Sequence, residues 1–209
     1  TEAVRETAGE VLKYKGNIVT TYYYSTSCGK TTTMKAWGTS ENESNGYLQS
    51  VEVKDKNGDY EKSLPWYRWE ADIDQDILST LLAENVKKNI GTVQSLEVTK
   101  TGPGGVALQI KAVGDKGSIT VDTENKIRKA LGGNGYEIKK QDGTVAQSGT
   151  LLPSAFFKVK KAGNIFKITG GGYGHGIGMS QNGANEMAKT GKNYQEILQM
   201  FYPGTTIEK

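Results

Sequence analysis

The chain of 209 residues has one cysteine, one histidine and four prolines. A single cysteine cannot close an internal disulfide. One cysteine and one histidine cannot make a four-ligand zinc site of the Cys/His kind. The sequence thus calls for no metal and no cofactor. No apolar run is long enough to span a bilayer, and the charged, polar start does not read as a signal peptide. Charge of one sign is also scarce: 26 basic against 23 acidic residues leave +3. With no basic stripe, nucleic acid is not an expected partner. The weak positive balance suits an anionic polymer without demanding one. A hydrophobic fraction of 35% and a mean hydropathy of -0.55 describe a polar surface. The length suffices for a core without cross-links and fits one large domain or two small lobes.

Glycine, by contrast, is plentiful, with 27 residues. Gly170 to Ala184 reads Gly-Gly-Gly-Tyr-Gly-His-Gly-Ile-Gly-Met-Ser-Gln-Asn-Gly-Ala. Glycine in every second place costs much chain entropy on ordering, so the backbone there is expected to turn unusually or to approach a ligand closely. Ser180 is expected to cap a following helix, whose free amides would face the loop and suit a carboxylate, a phosphate or a sugar oxygen. His175, the lone histidine, would sit at that point.

Around this run the pattern is mixed. Glu10–Tyr14 and Ile18–Tyr24 read as strands flanking a turn at Lys15-Gly16-Asn17. Residues 25–33 and 41–46 read as loops, and Gly58-Asp59 as a turn. Ile73–Val86 reads as a helix capped by Asp72 or Asp74, with Ile77, Leu78, Leu81 and Leu82 on one face. Leu96–Val121 reads as three strands with turns at 102–105 and 114–117. Thr123–Leu131 is a short helix stopped by Gly132-Gly133. Phe157, Val159, Phe166 and Ile168 alternate around Ala162-Gly163-Asn164 as a hairpin leading into the glycine run. The helix after Ser180 would turn Ala184, Met187 and Ala188 inward. Asn193 starts a last helix with Ile197 and Phe201 inward, ended by Pro203. The expected fold class is α+β, with antiparallel strands and hairpins and a few short helices. The chain reads as a single domain over 1–209, with room for a smaller lobe around 60–122.

Each candidate site residue has a functional and a plain reading. His175 could hydrogen-bond a substrate, move a proton, or simply brace the glycine loop. Ser25, Thr26, Ser27 and Cys28 could form an ordinary turn that bonds its own backbone. As nucleophiles they would need a base, and His175 is the only one on offer. Cys28 suits a small, partly buried thiol. Tyr173 is the aromatic placed to face a ligand, since a flat ring with a polar edge suits the apolar face of a sugar. Trp66 and Trp69 read as packing residues. Glu70 and Glu186 read as solvated carboxylates rather than as the raised-pKa acid that glycoside cleavage wants.

Four segments carry a family resemblance, in order along the chain. They are Ala3 to Tyr14 leading into Tyr24-Ser25-Thr26-Ser27-Cys28-Gly29-Lys30-Thr31; Tyr47-Leu48-Gln49-Ser50-Val51; Ile127-Arg128-Lys129-Ala130-Leu131-Gly132; and Tyr173 to Ala184 with Met187-Ala188, Gly191, Tyr194, Ile197-Leu198 and Tyr202. Together they resemble the stage II sporulation protein D family, whose domain is shared with the LytB amidase enhancer. The resemblance implies lytic transglycosylases, which cleave peptidoglycan between N-acetylmuramic acid and N-acetylglucosamine through one glutamate acting as acid and then base. It implies a glycan-binding cleft, with a substrate-binding groove of Ser25, Thr26, Ser27, Tyr173, His175, Gly176, Gly178, Ser180 and Gln181. The family's glutamate lies in a Gly-Glu-Met-like segment with no match in these residues, so the catalytic residue stays unknown and this chain alone is expected to be inactive. The expectation is a truncated or cleaved form of a longer protein, or a variant keeping only the binding part. The implied partners are peptidoglycan glycan strands, with engulfment or amidase proteins beside them. The implied location is extracytoplasmic, in the cell wall or the sporulation intermembrane space, with any membrane anchor in the absent segment. The alternatives are a non-catalytic wall-binding enhancer of a separate amidase and a structural protein of the engulfment machinery.

Overall fold

The computed structural model describes residues 2–209. In chain order the elements are α1 (Glu2–Glu6), β1 (Val11–Tyr14), β2 (Asn17–Ile18), β3 (Tyr23–Tyr24), β4 (Lys54–Asp55), β5 (Gly58–Asp59), β6 (Trp69–Asp74), α2 (Gln75–Val86), β7 (Val93–Thr101), β8 (Ala107–Gly114), β9 (Gly117–Asp122), α3 (Glu124–Leu131), β10 (Glu137–Lys140), β11 (Val145–Gln147), β12 (Phe157–Ala162), β13 (Ile165–Gly170), β14 (Met179–Ser180), α4 (Gln181–Lys189), α5 (Tyr194–Phe201) and β15 (Thr206–Glu208). The fold is α+β. Its strands pair antiparallel except where β3 meets β14.

The largest sheet runs β11-β10-β6-β13-β12. Its register follows from alternation: Trp69, Ala71 and Ile73 of β6 are buried, while Glu70 and Asp72 face outward. Ile168 of β13 lies opposite Ala71, and Phe166 opposite Ile73. A slip of one residue would turn this whole apolar row to solvent, so the pairing is strongly specified. The second sheet, β7-β8-β9, carries α2 and α3 against it and meets the first sheet where β12 packs on β7. One continuous core of buried residues runs from Ala36 to Tyr202. A small sheet, β15-β1-β2, joins the two ends of the chain.

Most local expectations hold, with corrections at element ends. The helix expected from Ile73 begins at Gln75, because Ile73 belongs to β6, and Asp74, which ends that strand, caps the helix by accepting from the Asp76 amide at 2.8 Å. The turn placed at Gly58-Asp59 lies two residues earlier, at Lys56-Asn57, since Gly58–Asp59 pairs with Lys54–Asp55. The long strand expected over Ile18–Tyr24 is broken: Asn17–Ile18 closes the hairpin, and Tyr23–Tyr24 leaves to pair with Met179–Ser180. Ala188 is exposed; Gly183 and Met187 form the buried face of α4, because the close approach of Phe201 and Val53 leaves room only for a glycine. Among the described residues no helix is long and apolar enough to cross a membrane.

Candidate functional site

The two loops that the sequence singles out are joined strand to strand. Thr26 and Tyr173 exchange both backbone hydrogen bonds, at 3.1 and 2.8 Å. Thr32 donates to the Gly176 carbonyl at 2.7 Å, and β3 runs parallel to β14. This closeness explains one glycine directly. Gly178 has φ +74°, and a Cβ there would overlap the Tyr22 carbonyl. Only a residue without a side chain fits such a left-handed position against another backbone.

A carboxylate that the sequence reading missed locks the two loops together. Glu61 is fully buried. It accepts from the Ser27 amide at 2.9 Å, from the Ser27 hydroxyl, and from the Ser180 hydroxyl at 2.7 Å. Ser180 is also the N-cap of α4, accepting from the Gly183 amide at 3.2 Å. The amides expected to be free at this helix start are thus taken by the protein itself, Asn182 donating to the Ser25 carbonyl and Gly183 to the Ser180 hydroxyl that Glu61 holds. Burial pushes the Glu61 carboxyl above its ordinary range, and the bonds from Ser27 and Ser180 pull it part of the way back. Burial, with the charge of Glu61 beside it, also pushes the Tyr24 phenol well up.

The remaining residues of the expected groove divide into frame and surface. Thr26 and Ser27 are buried, with the Thr26 hydroxyl accepting from the Asn182 side chain at 2.9 Å. Ser25 is half-buried and its carbonyl accepts from the Asn182 amide at 3.0 Å. Gly176, Gly178 and Ser180 are buried. Tyr173 and Gln181 reach solvent; Tyr173 is 43% exposed and its ring lies 4.8 Å from that of Trp66. His175 is half-buried between Tyr24 and Trp37, at ring distances of 5.5 and 5.0 Å. Its Nδ1 accepts from the Ile177 amide at 3.1 Å, so Nε2 carries the proton and donates to the Tyr23 carbonyl at 3.0 Å. Burial lowers its pKa below the usual histidine value, which keeps the ring neutral at pH 7.

The other segments singled out by the sequence come to the same place. Thr31 donates its hydroxyl to the Gln49 carbonyl at 2.9 Å and accepts from the Val51 amide at 2.8 Å. Behind His175, the Trp37 indole donates to Glu124 at 3.2 Å, and Glu124 forms a buried ion pair with Arg128 at 2.7 Å. Arg128 also donates to the Leu152 carbonyl at 2.8 Å. The two carboxylates weighed as acids are ion-paired. Glu70 meets Lys167 at 3.0 Å, which holds its carboxyl below the usual range, and Glu186 meets Lys189 at 2.6 Å. Among the described residues no cluster of three or more His, Cys, Asp or Glu side chains could hold a metal.

Beside Cys28, where the first loop meets Gly170 and Gly171, the surface opens into a depression of about 400 Å³. Arg68 lines it, donating to the carbonyls of Cys28 at 3.0 Å and Tyr67 at 2.7 Å. Burial pushes the Cys28 thiol up, against the opposing pull of Arg68.

Residues 32–178 match the family described as Domain of unknown function (DUF8618). Stage II sporulation protein D of Bacillus subtilis (strain 168) is 31% identical over 209 residues, covering 100% of this chain and 51% of that protein. The Amidase enhancer of the same organism is 28% identical over 231 residues, covering 99% of this chain and 32% of that protein. Stage II sporulation protein D of Bacillus amyloliquefaciens is 29% identical, covering 100% of this chain and 51% of that protein. The chain therefore spans about half the length of the sporulation proteins it matches, and about a third of the enhancer.

Proposed function

The chain belongs to the DUF8618 family and to the family of Stage II sporulation protein D and the Amidase enhancer, and on that premise we propose that it recognises peptidoglycan glycan strands in cell-wall remodelling during sporulation, outside the cytoplasm. The observation that carries this reading is the pairing of the Ser25–Thr31 and Tyr173–Gln181 loops into one rigid surface, held from within by Glu61. Buried Thr26, Ser27, Gly176, Gly178 and Ser180 shape the frame. Tyr173, backed by Trp66, offers an aromatic face to a sugar ring, and Gln181, exposed at the start of α4, offers an amide. His175 keeps the loop in register through its two backbone bonds and stands neutral between Tyr24 and Trp37.

The finer reading is the recognition half of a lytic transglycosylase that cleaves between N-acetylmuramic acid and N-acetylglucosamine. A general acid must reach the glycosidic oxygen. Glu61 and Glu124 are buried with satisfied partners, and Glu70 and Glu186 are held by lysines. These four carboxylates are thus occupied structurally, so this chain supplies binding and positioning rather than the proton. The same observation favours a second reading, a non-catalytic enhancer acting beside an amidase.

The test is sedimentation with purified glycan strands, followed by mass spectrometry of the supernatant. Binding without anhydromuramyl ends is the expected result. Failure to sediment with the strands refutes the recognition role, and anhydromuramyl ends from the purified chain refute the division of labour.

A further inference from the structure

The depression beside Cys28 has a charge that nothing in it balances. Arg68 and Lys158 line it, and no aspartate or glutamate does. Neither cation has an ion-pair partner among the described residues. Arg68 is fixed rather than free. Beyond its two carbonyl bonds, it donates to the Tyr67 hydroxyl at 3.1 Å and lies 3.8 Å from the centre of the Tyr67 ring. Tyr67 in turn donates to Asp59, so the nearest carboxylate in that chain of bonds is one residue removed and is already engaged by a hydroxyl. The next carboxylate along the surface, Glu70, is taken by Lys167 and Lys139.

The floor has been kept open. A Cβ at Gly171 would come within 2.9 Å of the Cys28 Cβ and 3.0 Å of the Arg68 guanidinium, and would crowd the Tyr67 carbonyl. Thr169 is exposed in the lining and lies between Lys158 and Glu70 in the sheet register. The Cys28 thiol, pushed up by burial, adds no negative charge near neutral pH. A guanidinium held in place by three hydrogen bonds, with an ammonium beside it and an uncharged floor, is a preorganised receptor for a planar oxyanion.

We propose that this depression binds a carboxylate carried on the polymer that the neighbouring Tyr173 surface engages. The anion site stands on its own geometry. Its identity as the lactyl carboxylate of a muramic-type sugar rests on the glycan reading above. The depression touches the first loop at Cys28 and, at Gly170 and Gly171, the end of β13 where the chain leads into the second. A strand lying across Tyr173 can therefore place an acidic substituent over Arg68.

Because Cys28 is the only cysteine of the chain, its alkylation reports on this depression alone. Cys28 is treated with anionic iodoacetate and with neutral iodoacetamide at a pH where the thiolate forms. The comparison covers wild type, Arg68→Gln and Lys158→Gln. The expected result is a ratio of iodoacetate to iodoacetamide rates that falls roughly threefold or more in either variant, as a local positive potential requires. Lys158 is exposed and unpaired, so its variant should fold even if Arg68→Gln loosens the loop. N-acetylmuramic acid should slow alkylation of the wild type, and N-acetylglucosamine, which lacks the carboxylate, should not. An unchanged rate ratio in Lys158→Gln, or no protection by N-acetylmuramic acid, overturns the proposal. Protection by inorganic phosphate but not by N-acetylmuramic acid overturns the carboxylate assignment in favour of a phosphate. If N-acetylmuramic acid protects while glycan strands fail to sediment with the protein, the anion site stands and the glycan reading falls.

Discussion

Removing the Glu61 carboxylate should separate the two loops, and its cost can be worked from the bonds. In Glu61→Ala the Ser27 amide keeps a partner, because the Ser180 hydroxyl lies 3.1 Å away. The Ser180 hydroxyl can turn to the Ser25 carbonyl at 3.3 Å. The Ser27 hydroxyl is left buried without an acceptor, at a cost of about 1–3 kcal/mol. The space left by one methylene and a carboxyl adds about 1–2 kcal/mol, and relief from burying a charge returns part of the total. The net expectation is a loss of about 2–4 kcal/mol. Glu61→Gln should cost about 1 kcal/mol or less, since its amide can donate to the Ser27 hydroxyl while its carbonyl accepts from Ser180. The pH dependence separates charge from shape. The folded pKa of Glu61 is raised, so the folded state holds the proton more tightly than the unfolded chain. Wild type should gain stability relative to Glu61→Gln as pH falls from the folded pKa towards the ordinary glutamate value, and lose that gain as pH rises. Urea unfolding of the three proteins over a pH series, followed by tryptophan fluorescence, measures all of this. An alanine variant within about 0.5 kcal/mol of wild type would refute the lock. So would a wild-type minus glutamine difference that does not change with pH.

Gly178→Ala should lose more than about 2 kcal/mol, because both the left-handed φ and the Tyr22 carbonyl oppose a Cβ; thermal unfolding should show a fall of several degrees. His175→Gln should remove a pH effect of opposite sign to that of Glu61. The histidine pKa is lowered by burial, so its stability contribution is complete above the unfolded value and is lost as pH falls towards the folded one. Comparing melting curves of the wild type and the glutamine variant between neutral and mildly acidic pH checks this, and parallel curves refute it. Tyr173→Ala should leave the melting temperature within about 2 °C, since the ring is exposed, yet weaken glycan-strand binding by about tenfold.

What the sequence could reveal was mostly local. The β12–β13 hairpin, the Asp74, Ser180 and Asn193 caps and the three-strand meander each announce themselves within a dozen residues, through alternation and turn chemistry. The two glycine- and hydroxyl-rich loops were legible as candidates because neither has a period. Their pairing depends on β3 meeting β14 across 156 positions, which no local pattern records. Glu61 was hidden for the same reason. Its burial is imposed by Ser27 and Ser180, 34 and 119 residues away. Arg68, between two tryptophans, reads as a solvated charge in a packing segment, and only the fold sets it against Cys28.

The most direct measurement of the central claim is a residue-resolved NMR titration of the labelled chain with soluble glycan-strand fragments. The account predicts saturable shifts at the Tyr173, Gly174 and Gln181 amides and at the Trp66 indole, with weaker ones at Gly170 and Gly171. Shifts confined to the β7–β9 sheet, or none at concentrations that saturate sedimentation, would contradict it.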